Sequence, residues 1–192
     1  ASSTQVYSLV NCKTPIRETK KASPDTVYGV SKQVAENLIR ISGIPFTILR
    51  LSNVYGPGCR PNYNSVVATM CYRAARGLPL VINGDGRQGR DFIYVDDVVR
   101  AFVLAGFESM SGAEKIFNVS SGKMVSIKQI VKQVCRLHKN TKVEFLTDKK
   151  NVEISYCCDP SKFFGKYSWR PRVSLSKGIE QALSYYRGRK IT

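Results

Sequence analysis

The sequence of 192 residues is 43% hydrophobic, and its 30 Lys+Arg against 14 Asp+Glu give a formal net charge of +16. That length and apolar content support one large domain, or one and a half small ones, and exclude a disordered chain. No apolar run approaches the roughly 20 residues that span a bilayer, and the first residues lack the basic and apolar regions of a secretory signal. The expectation is a soluble, cytoplasmic protein with no membrane partner. The positive balance favours anionic partners: a diphosphate, a nucleic acid or an acidic protein surface. Because Lys and Arg are spread along the chain, with no block, zinc-finger spacing or RNP-like motif, nucleic acid is the minority reading.

The six cysteines, Cys12, Cys59, Cys71, Cys135, Cys157 and Cys158, form no C-x-x-C or Cys/His pattern. They read as reduced thiols, and no metal site is expected. His138, the only histidine, sits near the end of a helical pattern beside Arg136 and Lys139, which favours a capping or surface role over a Ser-His-Asp mechanism.

In chain order, residues 1–7 read as the end of a buried strand and Asn11 to Ala22 as a loop. Ser23 and Asp25, around Pro24, offer capping groups for a helix running to about Ile41, with Val27, Val30, Val34, Leu38 and Ile41 forming an apolar stripe. Gly43 ends it. PFTILRLS, Pro45 to Ser52, is a β-branched apolar run of the kind buried in a parallel sheet, followed by the turn NVYGPG. A helix over Ser65 to Arg76 precedes the strand LPLVI, the turn GDGRQG, the strand DFIYV and a helix from about Asp96 to Phe107. KIFNVS, a helix from Ser126 to about Leu137, the strand KVEFL and a helix from Ser174 to about Tyr186 complete the chain. Strands alternating with helices predict an α/β fold.

Tyr28 and Lys32 lie four apart near the start of a helix and so share a face. An ammonium beside a phenol favours the phenolate, making the pair an acid/base usable near neutral pH. The spacing alone is weak, since Tyr186 and Lys190 repeat it across Gly188 at the end of the sequence. Context separates the two pairs.

The ordered set SST-x-V-Y, YGVSK, LRLSNVYGPG, GDGRQGRDFIYVDDVVRA, FNVSSG and DPSK with SWRP covers essentially the whole chain. It resembles the extended short-chain dehydrogenase/reductase superfamily, and within it the NAD-dependent nucleotide-sugar epimerases of the UDP-glucose 4-epimerase type. The resemblance implies NAD as cofactor and a nucleoside-diphosphate sugar as substrate. It places Ser3 on the reacting sugar oxygen, Tyr28 as acid/base, and Lys32 as the residue that holds the nicotinamide ribose and tunes Tyr28. Ser52 falls where the family packs against the nicotinamide and Asn53 where it touches substrate. Arg90 falls where it grips the diphosphate, which a forked guanidinium suits. Asn118 and Asp159 match positions at the nucleotide end, although a turn bond and a helix cap before Pro160 explain them equally well. Homodimers in this family pair through the tyrosine-bearing helix, which makes a homodimer the expectation by analogy.

Three departures sharpen the reading. Thr4 and Gln5 stand where the superfamily's dehydratases carry an acidic pair, and the decarboxylases a glutamate at the second position. Neither supplies a general acid to expel water, so elimination is disfavoured against epimerisation or 4-keto redox chemistry. KKNV, Lys149 to Val152, replaces the family's Arg-x-Gly-Asp. Finally, no Gly-rich turn after a first strand and no acidic ribose ligand occur, and GDG at Gly84 to Gly86 is not that fingerprint. The expectation is a partial Rossmann-like, doubly wound parallel sheet with a small C-terminal α/β substrate-binding domain. Residues 1–192 would be the C-terminal part of an epimerase/dehydratase domain, with roughly a hundred residues of fold expected before Ala1. Alone it would bind NAD weakly or not at all, expose a sticky edge on its first strand, and call for a chain supplying the N-terminal half. The alternative is a catalytically inactive relic or scaffold that binds an acidic partner or RNA.

Overall fold

The computed structural model describes residues 1–10, 12–63, 65–107, 115–146 and 154–188. The KKNV segment and Lys190 therefore lie outside the described residues. The elements run β1 (Ser2–Ser3), a 3-10 turn (Thr4–Val6), α1 (Val27–Ile41), β2 (Thr47–Leu51), β3 (Asn53–Tyr55), α2 (Val66–Ala75), β4 (Leu80–Asn83), β5 (Gly89–Tyr94), α3 (Val95–Phe107), β6 (Lys115–Val119), β7 (Met124–Ser126), α4 (Ile127–Leu137), β8 (Val143–Leu146), α5 (Ser161–Tyr167) and α6 (Leu175–Arg187).

Strands β1, β2 and β6 form a parallel sheet in that order, with β2 central. Period-two alternation gives its faces opposite chemistry. On one face Leu49, Phe117 and Val119 pack with Ile93, Val98, Ala101, Phe163 and Trp169, contributed by β5, α3, α5 and the segment after it. On the other face the register aligns Ser2 with Arg50 and Arg50 with Asn118, a row of three polar residues. All three are buried beneath α1 and the loop that precedes it.

That row is satisfied by a single network. Glu36 of α1 accepts from Arg50 Nε at 2.9 Å, from Arg50 Nη2 at 2.6 Å and from the Ser2 hydroxyl at 2.6 Å. Arg50 Nη1 donates to the Tyr7 hydroxyl, which donates to Asn118 Oδ1. Burial works against ionised Glu36, but the donors on its carboxylate outweigh it and hold the group below its ordinary value. The Tyr7 phenol is pushed up to about 12, first by its burial.

The second half has a different foundation. β3 pairs parallel with β5, β5 antiparallel with β7, and β4 parallel with β8. Helices α2, α4 and α6 close over these strands around Val67, Cys71, Leu80, Ile82, Ile130, Val134, Ile179 and Tyr186, all buried. The start of α4 is built by a capping box: Ser126 accepts from Gln129 N, and the Gln129 side chain accepts from Ser126 N.

Four expectations change. The first strand is only Ser2–Ser3, because a 3-10 turn follows at once; Val6 and Tyr7, read as part of it, lie in and beside that turn and are fully buried, while β1 itself stands at the edge of its sheet. The cap of α1 is Thr26, whose hydroxyl accepts from Gly29 N. Asp25 instead accepts from Leu9 N and Val10 N and ties down the preceding loop. The stripe Val27, Val30, Val34, Leu38 and Ile41 is exposed, while Gly29 and Glu36 face inward. β7, a short element without a full period, had no signal, α5 was marked only by the cap read before Pro160, and β3 lies inside the stretch read as a turn.

Candidate active site

A cleft of about 750 Å³ opens where the end of the polar-faced sheet meets the second half. Ser3 lies in its wall at the end of β1, and its side chain accepts from Gln5 N at 3.2 Å, the bond that turns the chain into the 3-10 helix. Tyr28, in the first turn of α1, is half-exposed on the same cleft. Gly29 is why the helix comes so close: a Cβ there would collide with the Gln5 carbonyl oxygen and lie 2.7 Å from Pro24 Cβ. Lys32, one turn on, holds its Nζ 5.5 Å from the centre of the Tyr28 ring. The pair shares one helix face, with the ammonium against the phenol.

The strand ends supply the remaining groups. Ser52 directs its hydroxyl to Asp91 Oδ1 at 3.3 Å. Asp91 is fully buried, and burial pushes its carboxyl up against donors from Ser121 N, Ser121 Oγ, Gly122 N and Cys158 N. It thus ties β5, the turn before β7 and the segment 154–158 to Ser52, the residue that follows β2. Asn53 Nδ2 donates to the Asp91 carbonyl at 2.9 Å and to the Tyr156 hydroxyl at 3.2 Å.

Arg90 is half-buried, its guanidinium carbon 5.5 Å from the centre of the Tyr156 ring, and its Nη1 donates to the Gly89 carbonyl. No ion pair reaches it among the described residues. Burial pushes its pKa down, yet a guanidinium remains charged. A charged fork without a protein carboxylate, in the wall of a cleft, is suited to an anionic ligand.

The structure thus brings Ser3, Tyr28, Ser52, Asn53 and Arg90 to one cleft, with Lys32 beside Tyr28. Asn118 and Asp159 are not part of its wall. Asn118 has no exposed surface; its Oδ1 accepts from Tyr7 and its Nδ2 donates to the Ile16 and Asp159 carbonyls. Asp159 accepts from Ser161 N at 2.9 Å and pairs with the exposed Arg17 at 3.0 Å. Asn118 thus lies within β6 rather than in a turn, and the N-cap of α5 is Pro160, with Asp159 beside it accepting from Ser161 N. His138 is the C-cap of α4, its Nδ1 3.1 Å from Thr141 Oγ1.

Tyr156 is the cleft residue that sequence reasoning missed. It sits in a segment outside the regular elements, ISYCC, and no periodicity or spacing marks it. The wall also contains Val54, Met70, Ile82 and Phe92, an apolar surface of the kind that receives the faces of a nucleotide or sugar.

Parallel sheet and covering helices together define a Rossmann-like α/β protein with a polar-walled cleft. Residues 1–120 match the NAD dependent epimerase/dehydratase family, and the chain belongs to that family. Its fold superposes on the UDP-glucose 4-epimerase of Thermotoga maritima, solved with UDP-glucose. The TM-score is 0.86 at 32% identity, over 97% of this chain and 62% of that one. UDP-glucuronic acid 4-epimerase from Bacillus cereus, solved with NAD, gives 0.85 at 29% identity, over 97% and 60%. In sequence, dTDP-glucose 4,6-dehydratase from Haemophilus influenzae is 26% identical over 96% of this chain and 59% of its own length. The chain spans about three fifths of the length of these relatives. No helix among the described residues is long and apolar enough to cross a membrane.

Proposed function

We propose that this chain carries the sugar-handling half of an NAD-dependent nucleotide-sugar epimerase reaction at C4 of a UDP-hexose or a similar nucleoside-diphosphate hexose. The observation that supports it most is the convergence of Ser3, Tyr28, Asn53 and Arg90 on one cleft. In this reading Ser3 holds the O4 hydroxyl, Tyr28 takes and returns its proton, and Lys32, beside the Tyr28 ring, holds the nicotinamide ribose. Arg90 grips the diphosphate and thereby fixes the sugar ring against Tyr28. Thr4 and Gln5 line the same wall, and their side chains favour inversion over loss of water.

NAD supplies the oxidant for such chemistry. Tyr28, Lys32 and Ser52 fit its nicotinamide-ribose end, whereas no Gly-rich turn for a pyrophosphate occurs in these 192 residues. We therefore propose that catalysis needs a dinucleotide-binding half in addition to the residues described, and that NAD binds poorly without it. The domain reading, a last section of Rossmann sheet merged with a substrate-binding unit, belongs to the same proposal. The exposed stripe of α1 supports pairing of two copies; sedimentation would show a dimer that Leu38→Glu dissociates, and a monomeric parent would remove the idea.

The test is interconversion of UDP-glucose and UDP-galactose with NAD present, by the chain alone and joined to a Gly-rich half. Turnover only in the joined form supports the reading. If neither form converts or binds any UDP-hexose while the chain is retained on RNA or an acidic protein in a salt-dependent way, the scaffold alternative replaces it.

A further inference from the structure

A second concavity, of about 680 Å³, lies between β7, α4 and the start of α6, and shares no lining residue with the cleft. Val125 and Leu175 give it apolar surface, and Lys132, Gln133, Arg136 and Ser176 give it donors. Gln133 Nε2 donates to the Ser176 hydroxyl, which ties α4 to α6 and leaves the serine its own hydrogen to give. Among the described residues no Asp or Glu lines this groove. Lys128, Lys132 and Arg136 recur every four residues along α4, all exposed, and the helix contains no Asp or Glu. Like charges at that spacing oppose helix formation, and Lys128 stands in the first turn, where the helix dipole disfavours a cation. Only Arg136, in the last turn, suits the dipole. None of the three belongs to an ion pair among the described residues, in contrast with Lys177 of α6, whose ammonium meets Glu180 at 2.8 Å. The row destabilises its own helix, and no described carboxylate offsets it.

We propose that this groove is a docking site for an acidic segment of a partner protein, with carboxylates against Lys128, Lys132 and Arg136 and an apolar side chain on Val125 and Leu175. Four residues of helix rise about 6 Å, so the cations repeat at that interval. Carboxylates on alternate residues of an extended segment, about 6–7 Å apart, match it. The ammonium and guanidinium groups supply charge-assisted bonds, and the Ser176 hydroxyl adds a donor between them and α6. Nucleic acid fits less well, because no Phe, Tyr or Trp lines the groove to stack on a base. The groove stands apart from the cleft, so the proposal does not depend on the nucleotide-sugar reading.

A short fluorescent peptide alternating Glu and Leu, titrated with the 192-residue chain at low salt and read by polarisation, tests this. The parent is expected to bind it, to release it as salt rises, and to ignore the same peptide with Gln in place of Glu. Lys132→Gln combined with Arg136→Gln should weaken binding about tenfold, the scale of two exposed charge contacts. Lys21→Gln combined with Arg187→Gln removes the same charge elsewhere on the surface and should leave binding unchanged. Cys135 also lines the groove, so bound peptide should slow its alkylation by a maleimide, while Cys59, in the cleft wall, reacts as before. A peptide that does not bind, that is lost equally with either charge pair, or that leaves Cys135 unprotected overturns the proposal. So does tighter binding of poly(U) RNA or of phosphatidylserine vesicles through Lys132 and Arg136, which would assign the groove to one of those instead.

Discussion

The two halves of this molecule are held together by different physics. Where α1 lies on the sheet, the contact is a charged and hydrogen-bonded row, Ser2, Arg50 and Asn118, locked by Glu36 and Tyr7. Under α2, α4 and α6 the contact is hydrocarbon, with Ile82, Ile130, Val134 and Ile179 among its buried members. Apolar packing is tolerant of small shifts, whereas a bidentate guanidinium–carboxylate pair fixes direction as well as distance. The half that must place Tyr28 against Ser3 is the one that uses the directional device. Glu36 sits two turns after Tyr28 on the same helix, so its bonds to Ser2 and Arg50 set where the phenol stands.

Breaking the directional half should have the largest effect. Glu36→Ala leaves the Arg50 guanidinium, itself 3% exposed, buried without its partner, and should cost about 3–5 kcal/mol in denaturant unfolding. Loss under about 1 kcal/mol would show that the row is not what anchors α1. In the apolar half, Ile130→Ala should cost about 2–5 kcal/mol through the cavity it leaves, and this loss should not vary between pH 4 and pH 8.

Acid separates the halves further. The native Glu36 carboxyl is held below its ordinary value of 4.5, so its contribution is present above that pH and is lost as pH falls through the native value. Thermal melts should show Glu36→Gln less stable than the parent at pH 7, with the gap narrowing below about pH 4, whereas the Ile130→Ala gap stays constant. A gap for Glu36→Gln that is independent of pH would mean that the carboxylate charge does not stabilise the fold. The smallest effect is expected at the edge of the apolar half: Ser126→Ala removes the capping box of α4 and should cost about 0.5–2 kcal/mol, read as a lowered melting temperature.

The same contrast explains what the sequence disclosed. Elements in the apolar half carry their own signals: Ser65, Ser126 and Ser174 each cap the helix their position announced, and the runs around Leu80 and Phe92 are strands. In the polar half the signals mislead. The apolar stripe of α1 faces outward, while its inward residues are a glycine and a glutamate, because the partner surface is a polar row that exists only after three distant strands align. Asp25 has capping chemistry, but its carboxylate is taken by Leu9 and Val10. Of the site, Ser3, Tyr28, Lys32, Ser52, Asn53 and Arg90 were named from motifs, and the structure adds the convergence of five of them on one cleft. Tyr156 could not be named, since it enters the wall from a segment with no pattern. Asn118 and Asp159 were equally ambiguous in sequence, and the structure adds only the bonds that each makes within the protein.

The central claim is that Tyr28 moves the proton of a sugar hydroxyl held by Ser3. Its most direct test is Tyr28→Phe in the chain joined to a dinucleotide-binding half and supplied with NAD, with turnover and UDP-hexose affinity measured side by side. The account predicts a loss of turnover of about 100-fold or more, the scale of a missing general acid/base, with affinity changed by less than about threefold. Turnover that survives the substitution, or falls only in step with affinity, would contradict it.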